Sequence, residues 1–126
     1  MNSFIKSRKN ILLSFRTAWQ GMKMVLVQEP SFKYMLLLAA ITIGAMFYFP
    51  TSRTEKAVLL AMIFSVLILE LINSAMERFL DFLQPAEDIR VKKIKDLLAS
   101  IVLLVSLGAA IIGFLVFLPY IFRLDF

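Results

Sequence analysis

At 126 residues, 60% of them hydrophobic, with a mean hydropathy of +0.83, the chain is too apolar for a soluble domain and too short for a second one. It has no cysteine and no histidine, which excludes disulfides, thiolate catalysis, a Ser-His triad and imidazole-held zinc. The net charge of +5 is spread around apolar segments, a pattern of membrane topology and anionic-lipid contact and not of nucleic-acid binding. The expectation is an all-α polytopic membrane protein, residues 1–126 forming one domain. Basic and apolar residues interleave at the N-terminus, unlike a cleaved signal peptide.

Residues 1–30 read as an amphipathic helix lying in the membrane interface. Phe4, Ile11, Phe15, Trp19, Met22 and Leu26 share one stripe, and Lys9, Arg16, Gln20 and Lys23 lie away from it. Pro30 breaks or restarts the helix, and Ser31 is placed to cap the restart. A first span then runs over 32–49. Pro50-Thr51-Ser52 ends it, and Thr54, Glu55 and Lys56 open the next helix.

The second span is 57–83, ended by Pro85. The charged stretch Glu87 to Lys95 is expected at the aqueous surface, before a third span over 97–122. Gly108, Ala109, Ala110 and Gly113 are small residues suited to close helix approach, and Pro119 is expected to fray or kink the last turn. Six Lys/Arg precede the first span and five lie in the second connection, against two in the first connection and one after the last span. The positive-inside rule therefore places the N-terminus and the second connection in the cytoplasm.

The second span carries an unusual end. Glu70, Asn73, Glu77 and Asp81 fall within about 80° of one helix face at roughly 100° per residue. Glu70 still lies inside apolar sequence, where a carboxylate costs at least ~2.5–3.5 kcal/mol on insertion scales, so it marks a bundle interior or wet cavity. Adjacent antiparallel spans bring that face, Glu29 before the first span, and Lys95-Asp96 before the third to a common side. Carboxylates with an amide oxygen suit Mg²⁺, which bridges protein carboxylate and substrate phosphate. Lys95 offers a point charge to a phosphate, and a partly desolvated Glu70 beside a lipid hydroxyl can act as general base. Metal, cation and base make a minimal phosphoryl-transfer kit. Taken singly, Asn73 and Ser74 read more readily as hydrogen-bonding glue between helices, and Glu77, Arg78 and Asp81 as interfacial charge. No Walker-type loop or kinase catalytic loop is present.

ELINSAMERFLD (residues 70–81), with Lys95-Asp96 following, resembles the small bacterial integral-membrane lipid kinases, the prokaryotic diacylglycerol kinase and undecaprenol kinase family. FRTAW (15–19), QEPSFK (28–33) and SRTEKAVLL (52–60) also look like that family, and the similarity covers roughly residues 12–118. The resemblance implies a bacterial inner-membrane enzyme that uses MgATP to phosphorylate a lipid hydroxyl, as a homotrimer with active sites shared between subunits. It implies Glu70 as general base, Glu29 and Glu77 as metal ligands and Asn73 as hydrogen-bonding support. It places Lys95 on phosphate, and Asp96 and Asp81 near the nucleotide. SRTE and ELIN look more like the undecaprenol branch, which is favoured over diacylglycerol as acceptor. The chain departs from the family pattern at Ala86-Glu87-Asp88, at Ile94, and at Leu97 and Leu98. A rival of another class is a non-enzymatic membrane assembly or ion-pathway protein, in which Glu70 and Asn73 pair across subunits.

Overall fold

The computed structural model describes residues 3–123, with side chains described from residue 10. Four helices account for the described chain: α1 (Ser3–Gln28), α2 (Pro30–Tyr48), α3 (Arg53–Leu83) and α4 (Ile89–Phe122). There is no strand among the described residues. α2, α3 and α4 are each long and apolar enough to cross a membrane. In hydrocarbon every backbone N–H and C=O must find its partner within the protein, which a helix does by itself.

The junctions decide where the polar residues go. α1 and α2 are separated by Glu29 alone, held in the extended region at φ −115°, ψ 97°, with Pro30 opening α2. The Glu29 N–H still bonds Val25 O at 2.8 Å, so the backbone turns without orphaning a donor. Proline suits the first helical position because its missing N–H would find no helical partner there. Ser31 is therefore already inside the helix and caps nothing; its hydroxyl turns to α3 instead.

Between α2 and α3, the Thr51 hydroxyl donates to Met46 O at 2.7 Å, and Lys56 Nζ to Thr51 O at 2.6 Å. Ser52, not Thr54, is the N-cap of α3, and it forms a capping box with Glu55 at 3.0 and 2.9 Å. Tyr120 near the end of α4 donates its hydroxyl to the same Glu55 at 2.6 Å and stacks on Phe49 with ring centroids 6.0 Å apart. One acidic residue thus caps α3 and ties α4 to it.

At the other end Asp88 caps α4, accepting from the Arg90 N–H at 2.8 Å. The Arg90 side chain also bonds this carboxyl and holds it below its ordinary pKa. Because the cap lies at Asp88, the charged stretch expected as a surface segment is helical from Ile89 onward. Pro119 does not end α4, which continues to Phe122, where Arg123 in the left-handed region closes it. At 1.5 Å per residue the 31 residues of α3 extend about 46 Å, against ~30 Å of hydrocarbon, so its charged end projects beyond the apolar layer.

α3 is central: α2 and α4 both pack on it, and α1 packs on α2. Few apolar side chains are buried; Val25, Phe32, Met46 and Leu59 are those among the described residues. The rest of the apolar surface faces outward, as Leu103, Leu104 and Leu115 do, which suits a protein whose solvent is lipid. In α1, Phe15 and Trp19 are exposed and Lys23 lies over the Trp19 ring. Phe4 of the expected stripe falls outside the described side chains. The small residues of α4 do not mediate close approach within the chain, since an added Cβ at Gly108 or Gly113 meets nothing within 4 Å. Ala109, Ala110 and Gly113 instead help open an apolar groove of about 570 Å³ between α2, α3 and α4.

Candidate active site

The C-terminal half of α3 meets the start of α2 through two crossed hydrogen bonds. Ser31 on α2 donates to Glu70 Oε1 on α3 at 2.7 Å. Ser74, one turn along α3, donates to Glu29 Oε1 on the α2 side at 3.0 Å. Each helix thus supplies one carboxylate and one hydroxyl. Glu70 and Ser74 are buried, and their hydrogen bonds offset the loss of water that burial imposes.

This answers why Glu70 sits in apolar sequence. Its partner among the described residues is a neutral hydroxyl, with no cation beside it. Its second oxygen accepts no bond among those residues and is left for another proton donor.

Arg78 completes the stripe Glu70, Ser74, Arg78, spaced at four residues. Its Nη2 bonds Glu29 Oε1 at 3.2 Å, and its Nη1 reaches Met24 Sδ on α1 at 3.7 Å. Arg78 therefore joins α1, the α1–α2 junction and α3. Sequence reasoning treated it as ordinary interfacial charge.

The remaining expected residues fall into separate groups. Asn73 Nδ2 lies 3.5 Å from Glu77 Oε1 one turn on, and Asn73 Oδ1 is buried with no partner. Lys95 Nζ pairs with Asp81, joining the ends of α3 and α4. Asp96 pairs with Lys92 at 2.9 Å, an exposed contact within α4. Eleven residues of helix separate Glu70 from Asp81, about 16 Å along the axis. Within one chain, then, Lys95 and Asp96 do not meet Glu70.

Among the described residues, no three acidic side chains converge closely enough to hold a metal ion. Mg²⁺ needs only one or two carboxylates, the rest of its shell being water and substrate phosphate. The Glu77 carboxylate with the unpartnered Asn73 Oδ1 fits that donor set. Glu29, the other expected ligand, has an oxygen already engaged by Ser74 and Arg78.

Ser31, Ser74 and Arg78 are the site residues that sequence reasoning missed. Ser74 and Arg78 stand four and eight residues from Glu70, so helical spacing alone places them on its stripe. Ser31 had no such signal, because its partner is 39 residues away.

Membrane-length helices packed around a buried carboxylate–hydroxyl cluster define a small polytopic membrane protein with an acidic site at one end of its central helix. Residues 16–117 match the family described as prokaryotic diacylglycerol kinase, and the chain belongs to that family. It is 32% identical over 111 residues to a protein of Synechocystis sp. named diacylglycerol kinase. That match takes in 87% of this chain, which spans 63% of the length of that relative.

Proposed function

We propose that the protein is an integral-membrane lipid kinase of the bacterial inner membrane, with the N-terminus and the α3–α4 turn in the cytoplasm. It transfers the γ-phosphoryl group of ATP to a lipid hydroxyl. The observation that carries this reading is the Glu70 carboxylate, buried, with no neighbouring cation among the described residues and already hydrogen-bonded to a hydroxyl at 2.7 Å. A group so placed can take the proton of an alcohol that lies against its second oxygen.

In the step proposed, the lipid oxygen attacks the γ-phosphorus as Glu70 accepts its proton. The bond from that phosphorus to the β–γ bridging oxygen breaks, and ADP leaves with the electron pair. The polar face from Asp81 through Glu77 and Asn73 to Glu70 makes a lane about 16 Å long, comparable to an extended nucleoside triphosphate. The base end of the nucleotide lies near Asp81 and Asp96, and the transferred group lies near Glu70. Lys95 must exchange its contact with Asp81 for a phosphate oxygen. Glu77 and Asn73, with Glu29 once released from Arg78, would hold Mg²⁺, which supplies neutralisation of triphosphate charge. A homotrimer whose sites draw on neighbouring copies is proposed on the resemblance, and the separation of the polar groups within one chain supports the sharing of sites.

The acceptor proposed is undecaprenol, on the resemblance at SRTE and ELIN. Diacylglycerol is the second reading, favoured by the name of the Synechocystis relative. Reconstituted protein given labelled ATP and each lipid separately tests both. Label in undecaprenyl phosphate supports the first, label in phosphatidic acid the second, and label in neither defeats the kinase reading.

A further inference from the structure

Arg78 has more donors than partners. Nη2 bonds Glu29 at 3.2 Å, Nη1 reaches only a thioether sulfur, and Nε is buried with no partner among the described residues. A guanidinium presents five N–H donors in a rigid fork, so one ordinary hydrogen bond leaves it under-coordinated. Its side chain is 38% exposed, so the fork is not sealed from incoming ligands. Its Cα stands eight residues from Glu70 toward Asp81, but its fork reaches back to the Glu29 oxygen that Ser74 also bonds, one turn from Glu70, at the triphosphate end of the proposed nucleotide lane.

The same contact occupies Glu29. A divalent cation bound to this carboxylate would compete with the guanidinium, directly at Oε1, which already accepts from both Ser74 and Arg78, and by repulsion of like charge if it takes Oε2. We infer that Arg78 is the resting counter-ion of Glu29 and becomes a phosphate ligand when a divalent cation takes that carboxylate. The inference rests on the lipid-kinase reading above. The ligand class is the phosphate oxygens of a metal-bound nucleoside triphosphate, which a guanidinium fork matches two at a time. A positive charge leaves one acid as another arrives, so the pocket is never left with Glu29 unpaired. Arg78 then closes on the triphosphate only after the metal is in place.

The two roles have opposite signs in two binding measurements on the full chain in detergent. Mn²⁺, read by electron paramagnetic resonance without nucleotide, reports the cation at Glu29. A non-hydrolysable ATP analogue at saturating Mg²⁺ reports the phosphate contact. Arg78→Gln is expected to tighten Mn²⁺ severalfold while weakening the analogue roughly tenfold, as loss of a charge-assisted hydrogen bond does. Arg78→Lys keeps the charge but loses the fork, so Mn²⁺ affinity stays near wild type and analogue affinity falls severalfold. Gel filtration shows whether each variant is folded, and the lysine variant alone decides the matter if the glutamine variant is not. Parallel weakening of both ligands by Arg78→Gln overturns the inference, as does analogue affinity unchanged in either variant. Wild-type protein that binds no analogue defeats the kinase reading itself, whereas wild-type binding unaltered by Arg78→Lys defeats only the role of Arg78.

Discussion

Ser31 donates its hydroxyl to Glu70 across 2.7 Å, from the first turn of α2 to the apolar stretch of α3. The pair is a small rehearsal of the proposed chemistry, with an alcohol oxygen at hydrogen-bond distance from a buried carboxylate. It also explains how α3 can carry an acid in apolar sequence, since the hydroxyl offsets part of the penalty of leaving water.

Glu70→Gln keeps the shape and a hydrogen-bond acceptor but cannot take a proton. Turnover should fall by roughly 10²–10⁴-fold, the usual contribution of a positioned base, while the cross-linking pattern matches that of the wild type. Retained turnover would mean that another group takes the proton and that Glu70 serves only to pair helices.

Ser31→Ala removes the donor and leaves the acid buried without a partner. The expected loss is about 1–3 kcal/mol of stability, read as a lower unfolding midpoint in detergent. Ser31→Thr retains the hydroxyl and should recover most of it.

Tyr120→Phe separates structure from chemistry. It deletes the 2.6 Å bond to Glu55 at the opposite end of the bundle, leaving the capping box in place. Stability should drop by about 0.5–1.5 kcal/mol with kcat and KM unchanged at a temperature where the variant is folded. A shifted KM for ATP would place the clasp in the catalytic machinery.

Lys95→Ala and Asp81→Asn break the same ion pair, and as a partly exposed contact it should contribute less than about 1 kcal/mol to stability. Their effects on ATP should differ. Loss of Lys95 should raise KM for ATP by roughly tenfold or more, as removal of a charged phosphate contact does. Loss of Asp81 frees the lysine and should matter less. Equal effects would mean that the pair acts only by holding α3 to α4.

Asp88 supplies the pH prediction. Its carboxyl is held below the ordinary value by Arg90, so the folded form has the lower pKa. The capping contribution is then complete above the unfolded carboxyl pKa and is lost as pH falls through the folded one, which lies below the ordinary aspartate range. Asp88→Asn still caps but does not titrate. The acid-induced loss of helicity at the start of α4 should disappear in that variant, measured by hydrogen exchange in detergent across the acid range.

Much of the architecture follows from composition alone. A chain this apolar with three long hydrophobic runs has to satisfy its backbone within helices, and Pro30, Pro50 and Pro85 mark where they part. The acidic face of α3 was equally legible, because helical period is a local property and Glu70 is conspicuous in its surroundings. That the charged stretch before the third span is already helical from Ile89 was not legible, because Asp88 is a local cap whose strength depends on backbone geometry.

What the linear order of residues could not decide is which groups answer which across helices. Periodicity placed Glu70, Asn73, Glu77 and Asp81 on one face, but the packing divides that face. Glu70 turns to Ser31, Glu77 stays with Asn73, and Asp81 goes to Lys95. Glu29 meets Arg78 and Ser74 only because a single extended residue joins α1 to α2 and aims that side chain at α3. Spacing along a chain fixes angles about one helix axis; the depth and rotation of a second helix against it come from packing, and that is where the pairings were made.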